Sequence, residues 1–301
     1  MPGEIREVEL NIRNANPSDL QAITRTWLTA DGEDAQAELA IPAVLPHLLQ
    51  TGVVRVAETN EGVSGFATSF ERSTVRFLAQ MFVLPGQQSS GTGRALLQSV
   101  MPDDGSVLAT IASPDPRAVS LYIRRGMQPC WPLFDLAVAV SDLRAVPNSM
   151  LSLTAADPDD PQLVEWDTLA NGRHRPQDQR YFVERRGGWP FWLERDGHRV
   201  GYGYLQVQRA SGDASWGSGH VRIGPLAVRD RRYAFDSVLA ATQHARDLGT
   251  HLSALMPGPH PALGALLNAG FRIRDIETFL TSARPPFVDG ELYVPSGGGL
   301  F

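Results

Sequence analysis

The sequence predicts two tandem α/β domains, each a mixed sheet with helices on both faces. Three observations predict this. The chain has 301 residues, of which 43% are apolar, enough for two cores of ordinary size. Matched segments recur at a steady offset, and in each half hairpin-type alternation precedes strand–helix pieces.

The elements follow in order. Residues 12–23, IRNANPSDLQAI, read as a strand, a turn and a helix start, and 153–164, LTAADPDDPQLV, read the same way. Both place Pro and a helix-capping Ser or Asp before an apolar helical run. Residues 53–70 alternate around a polar turn, as do 191–207, with Asp196-Gly197 at the turn. Strands at 77–84 and 220–228 each lead into a helix, 93–100 and 234–249. The closing helices, 116–127 and 261–271, end at Gly126 and Gly270, which suit a left-handed C′ position. Asn16 to Asp157, Val83 to Val228 and Gly126 to Gly270 are offsets of 141, 145 and 144 residues, the mark of a duplication. The expected layout is a first domain over 1–140, a linker over 141–150, a second domain over 151–285 and a tail over 286–301. The tail's glycines predict a loose segment at 294–301.

A net charge of −6 provides no basic face, so nucleic acid is not an expected partner. The first ten residues lack the apolar core of a signal peptide, and no run approaches the roughly 18 apolar residues of a membrane helix. The single cysteine, Cys130, cannot form an internal disulfide. A cytoplasmic protein without membrane segments or metal is expected.

The informative stretch runs from Met81 to Arg94. A strand ends near Leu84, Pro85 removes a ladder donor, and a helix starts near Gly93. Such a turn collects backbone N–H groups at a helix N-terminus, where the dipole favours an anion. Gly91 and Gly93 allow close approach of a phosphate. Ser89, Ser90 and Thr92 add hydroxyls, and Arg94 adds charge. A lone G-x-G fits a plain strand-to-helix turn equally well.

Gln88-Ser89-Ser90-Gly91-Thr92-Gly93 resembles the Q/R-x-x-G-x-G/A signature of the GNAT acetyltransferase superfamily. The run from Asp115 to Met127 resembles that family's N-x-x-A-x-x-L-Y-x-x-x-G-F helix. Together the two motifs place nearly all of 10–140 in the resemblance, and imply two tandem GNAT-like domains. The resemblance implies acetyl-CoA as co-substrate and a small amine as acceptor. It implies that Met81, Phe82 and Val83 pair with the pantetheine arm, that residues 88–94 cradle the pyrophosphate, and that Tyr122 is the general acid on the departing thiolate. Fixed donors at the developing charges are worth several kcal/mol of barrier, to order of magnitude. Asp115 stands where the family often has an Asn that contacts the cofactor. Ser89 replaces the usual Gly, which a negative φ tolerates, and Met127 replaces Phe.

No general base is assigned. Glu71, Glu38 and His47 are candidates, each also readable as an ordinary surface side chain, and Cys130 lacks the partners of a nucleophile. In the second half Tyr233 falls on Gln88, Asp236 on Gly91, Val238 on Gly93 and Leu266 on Tyr122. A carboxylate repels a pyrophosphate and a β-branched side chain blocks it, so cofactor chemistry is expected only in the first half. Arg173-His174-Arg175 with Trp189, Phe191 and Trp192 reads as a solvated turn before a core strand, or as a binding surface. The leading expectation is an N-acyltransferase working by direct attack. A non-catalytic acyl-CoA sensor is the alternative, and a dinucleotide oxidoreductase is disfavoured because the glycines follow antiparallel hairpins.

Overall fold

The computed structural model describes residues 10–33, 39–208 and 218–301. Glu38 and the N-terminal segment 1–9, both read above, lie outside the described residues. The chain divides into two compact units, one drawn from Met1–Glu71 and Arg76–Ser106, the other from Arg72–Val75 and Val107–Phe301.

In the first unit, β1 (Asn11–Asn14), α1 (Leu20–Ala30), α2 (Val44–Thr51), β2 (Val53–Thr59), β3 (Gly62–Arg72), β4 (Val75–Val83) and α3 (Thr92–Val100) follow in chain order. The sheet order is β1-β2-β3-β4, with β1 and β3 antiparallel to β2. The entry to α1 is a capping box. Asn16 accepts from the Ser18 N–H, and Asp19 accepts from the Asn16 N–H at 2.8 Å. Alternation along β2 to β4 buries Val54, Val56, Phe66, Phe70 and Phe77. On the other face α3 buries its own apolar stripe, Leu96, Leu97 and Val100, and the Ser69 hydroxyl donates to the Val100 carbonyl at 2.7 Å. Gly65 marks a close approach: a Cβ would stand 3.0 Å from the Phe82 carbonyl and 3.1 Å from a Leu96 methyl.

The second unit contains β5 (Val107–Ala112), α4 (Pro116–Arg124), β6 (Gln128–Ala139), β7 (Ser152–Ala155), α5 (Pro161–Asn171), α6 (Pro176–Arg186), β8 (Gly188–Arg195) and β9 (His198–Val207). It continues through β10 (His220–Val228), α7 (Ala234–Ala245), β11 (His251–Pro257), α8 (Leu263–Asn268), β12 (Arg272–Thr281) and β13 (Tyr293–Val294). Gly126 and Gly270 adopt φ of 85° and 106°, the left-handed values that the helix ends predicted.

One sheet per half was expected; the structure differs. Strands of both halves share a sheet ordered β5-β12-β6-β11-β10-β9-β8-β7. β12, late in the chain, lies antiparallel between β5 and β6, and β6 in turn pairs with β11. The exchange covers edges that β5 and β11 would otherwise leave open. The 141–150 segment is held by α7: Asp236 accepts from the Met150 N–H at 3.0 Å, and the Ser149 hydroxyl donates to the Asp236 carbonyl at 2.9 Å.

The tail is not loose. Tyr293–Val294 pairs antiparallel with Leu226–Ala227 of β10, and Tyr293, Val294, Leu300 and Phe301 are buried. Gly224, at φ 130°, makes room for it, since a Cβ there would collide with the Pro295 carbonyl. The solvated-turn reading of Arg173 and Arg175 is also corrected, because both are fully buried. Arg175 donates to Asp167 at 2.7 and 2.8 Å, to the Tyr293 hydroxyl at 2.7 Å and to the main-chain oxygen of Phe301 at 2.6 Å. Arg173 reaches the same Phe301 oxygen at 2.6 Å, while His174 between them is exposed. These arginines supply donors to tail carbonyls that have no strand partner. Phe191 and Trp192 do form a core strand, as read.

Where β12 crosses β6, burial pushes the Glu277 carboxyl up to about 7, with Asp275 and Asp135 adding to the effect and Arg222 opposing it. A raised carboxyl favours the folded state only while protonated. Its contribution is complete below the ordinary carboxylate range and is lost as pH rises through 7. Glu277→Gln is therefore expected to be more stabilising at pH 8 than at pH 5. Partial solvent access keeps the difference on the order of 1 kcal/mol, readable from urea midpoints at the two pH values.

Candidate active site

Two groups of predicted residues lie in the first unit. Met81, Phe82 and Val83 end β4, all half-buried. Phe82 is held between rings, stacked on Trp27 at 5.5 Å and on Phe66 at 5.6 Å. The Leu84 N–H bonds back to the Ser64 carbonyl at 2.9 Å, after which a 3-10 turn at Pro85–Gln87 lifts the chain off the sheet.

The loop that follows is built by its own side chains. The Gln88 amide donates to the Val83 carbonyl at 3.1 Å, tying the loop to the end of its strand. The Ser90 hydroxyl donates to the Gln87 carbonyl at 2.6 Å and meets the Thr92 hydroxyl at 2.8 Å. Gly91 is the N-cap of α3 at φ 96°, a conformation that strains any residue with a side chain. Among the described residues, the backbone N–H groups of Ser89, Ser90, Gly91, Gly93 and Arg94 donate to no other group of the chain. Five donors at one helix start, with the dipole behind them, are chemically suited to hold an anion of phosphate type.

Ser89 corrects an expectation. Its φ is +65°, not negative, so this residue bears left-handed strain that glycine would not. Ser89→Gly is expected to raise stability by roughly 0.5–1 kcal/mol, partly offset by the freer unfolded chain. A rise in the urea midpoint at unchanged slope checks it.

Tyr122 and Asp115 lie in the second unit. Asp115 is the N-cap of α4, accepting from the Arg117 N–H at 2.8 Å and pairing with the Arg117 guanidinium. Tyr122 is 5% exposed, on the buried side of α4. Burial, with Asp115 adding, pushes the phenol above its ordinary value, so it holds its proton at neutral pH. Of the base candidates, Glu71 is exposed and paired with Arg76, and His47 sits half-buried on α2. Cys130 is half-buried, and burial pushes its thiol up, the opposite of an activated nucleophile. Among the described residues no group of three or more His, Cys, Asp or Glu is placed to hold a metal, and no helix is long and apolar enough to cross a membrane.

No family model matches the sequence, and no curated protein matches it. Solved structures do match. A protein of Pyrococcus horikoshii, provisionally named an acetyltransferase, superposes with a TM-score of 0.73 at 16% identity, over 97% of this chain and 96% of its own. A GCN5-related N-acetyltransferase of Sphaerobacter thermophilus gives 0.58 at 15% identity, over 90% and 95%. A tandem GNAT protein from the clavulanic acid biosynthesis pathway gives 0.58 at 17% identity, over 91% and 98%.

The fold is that of the GCN5-related N-acetyltransferases. Within this GNAT fold, the second half's strand-to-helix connection has a different form. A 3-10 turn at Arg231–Tyr233 runs straight into α7, and the Asp230 side chain already occupies the Arg232 N–H. The Asp236 carboxylate is engaged on Met150, Val238 and Leu266 are fully buried, and β13 pairs with the end of β10. Sequence reading missed this last feature, because a Tyr-Val pair after Asp289-Gly290 carries no strand signal of its own.

Proposed function

We propose that this chain is an N-acyltransferase that moves an acetyl group from acetyl-CoA to the amine of a small acceptor, with chemistry in the N-terminal half. The observation that carries the proposal is the loop at 88–94, with Gly91 at φ 96° and five amides without acceptors among the described residues. These residues would hold the diphosphate, with the end of β4 taking the pantetheine arm. The reaction needs only a bound thioester and a positioned amine. The amine nitrogen bonds to the carbonyl carbon and the carbon–sulfur bond breaks; as the family resemblance implies, the sulfur takes the proton of the Tyr122 hydroxyl, and the proton the nitrogen gives up leaves to solvent, from which the tyrosine regains its own. Burial that keeps the Tyr122 phenol protonated at neutral pH supports this role.

The second half, in this reading, keeps the fold without cofactor. Asp236 and Val238 stand at the glycine positions, and the tail strand occupies β10. The repeat layout is 1–140 and 151–285, joined by 141–150 and followed by the tail 286–301.

The test is release of free thiol from acetyl-CoA across a panel of small amines. Turnover with at least one amine is expected. Tyr122→Phe should lower kcat by about 100-fold, with little change in KM for acetyl-CoA. Binding without thiol release across a wide panel would favour the non-catalytic acyl-CoA sensor instead.

A further inference from the structure

The second unit contains a cavity of about 840 Å³ outside the residues assigned above, large enough for a drug-sized molecule. It opens where β10 ends, at Ala227 to Arg229, and the 285–292 segment closes one side. Its walls are flat and apolar, with the indoles of Trp131 and Trp166, the Phe287 ring and prolines 259, 285 and 286. Flat walls of this kind select a planar ring over a flexible chain.

Donors and acceptors both line this cavity. The Trp131 indole N–H is buried and has no partner among the described residues. The Arg229 guanidinium lies over the Trp166 ring, 3.6 Å from its centroid. Stacked by its face, a guanidinium keeps its in-plane N–H fork at the edge. No carboxylate among the described residues pairs with that fork. The two carboxylates on the rim, Asp289 and Glu291, are both engaged by Arg231, at 3.3 and 3.1 Å. Arg231 carries one charge against two carboxylates, so these four side chains are neutral overall, and Arg229 is the cation among them without a paired carboxylate among the described residues.

We infer that this cavity is a binding site for an aromatic carboxylate, its ring lodged between the tryptophan and proline walls and its carboxylate on the Arg229 fork. The inference is independent of the transfer reaction, and its test uses no acetyl-CoA.

The full chain is titrated calorimetrically with three probes of one shape: 1-naphthaleneacetate, 1-naphthalenemethanol and 1-naphthylmethylamine. The acetate should bind about tenfold more tightly than the alcohol, with the amine weakest. Arg229→Gln, a change at an exposed side chain, should remove the preference for the acetate. Leu169→Glu, a second exposed position on the cavity wall, should weaken acetate binding about tenfold by like-charge repulsion, while circular dichroism confirms the fold. Preference for the amine, absence of binding for all three probes, or an unchanged preference in Arg229→Gln would overturn the assignment.

Discussion

Replacing Gly91 with valine is expected to lower affinity for acetyl-CoA by 100-fold or more. Gly91 caps α3 at φ 96° and ψ −11°, where a β-branched residue is a steric outlier. Open space surrounds the position where a Cβ would stand, so backbone conformation and not a clash decides the effect. To accommodate valine the loop has to leave the left-handed region, which swings the neighbouring amides out of register. Loss of two charge-assisted bonds at about 1.5–3 kcal/mol each is at least 100-fold in affinity. Calorimetric titration of the variant with acetyl-CoA reads this directly. Gly91→Ala should fall between valine and wild type. Asp236→Gly, at the matched position of the second half, should add no second equivalent of binding, because that carboxylate serves the Met150 N–H and the β10 end still carries β13.

The largest stability effect is expected at Arg175. This guanidinium is fully buried and links α5, β13 and the tail through Asp167, Tyr293 and the Leu300 and Phe301 carbonyls. Burial alone would raise the Asp167 carboxyl, but the charge and hydrogen bonds of Arg175, with help from the Tyr202 hydroxyl, hold it below the ordinary range. Arg175→Ala leaves that carboxylate buried without its counter-charge, a loss of about 3–5 kcal/mol. At about 2–4 °C per kcal/mol, the melting temperature should drop by roughly 6–20 °C in a calorimetric scan. Arg117→Ala makes the control. Its partner Asp115 is a surface pair, and removing it should cost less than about 1 kcal/mol.

Much of the fold was legible because it follows from local chemistry. The hairpins are marked by alternation and by Asp196-Gly197. The helix ends are marked by Gly126 and Gly270, whose positive φ no other residue adopts as readily. The turn from Leu84 to Gly93 was legible for the same reason, since Pro85 and Gly91 each impose one backbone conformation. What was hidden depends on partners far along the chain. Arg173 lies 128 residues from the Phe301 oxygen it bonds, and a main-chain oxygen leaves no trace in a sequence. Without that partner two arginines beside a histidine look solvated, and VPSGGGLF looks loose. The interleaving of β6 and β12 was hidden because alternation shows that a strand has a buried face and not which strand it meets. Ser89 was misjudged because serine carries no signal of a positive φ. Its conformation is imposed by the bonds that Gln88 and Ser90 make on either side.

The central claim is that one loop binds the diphosphate and its counterpart does not. Amide hydrogen exchange, compared with and without saturating acetyl-CoA, tests it at peptide resolution. The account predicts slowed exchange across 88–95 and no change across 229–238. Protection that appears at 229–238, or at neither segment despite measured binding, would contradict it.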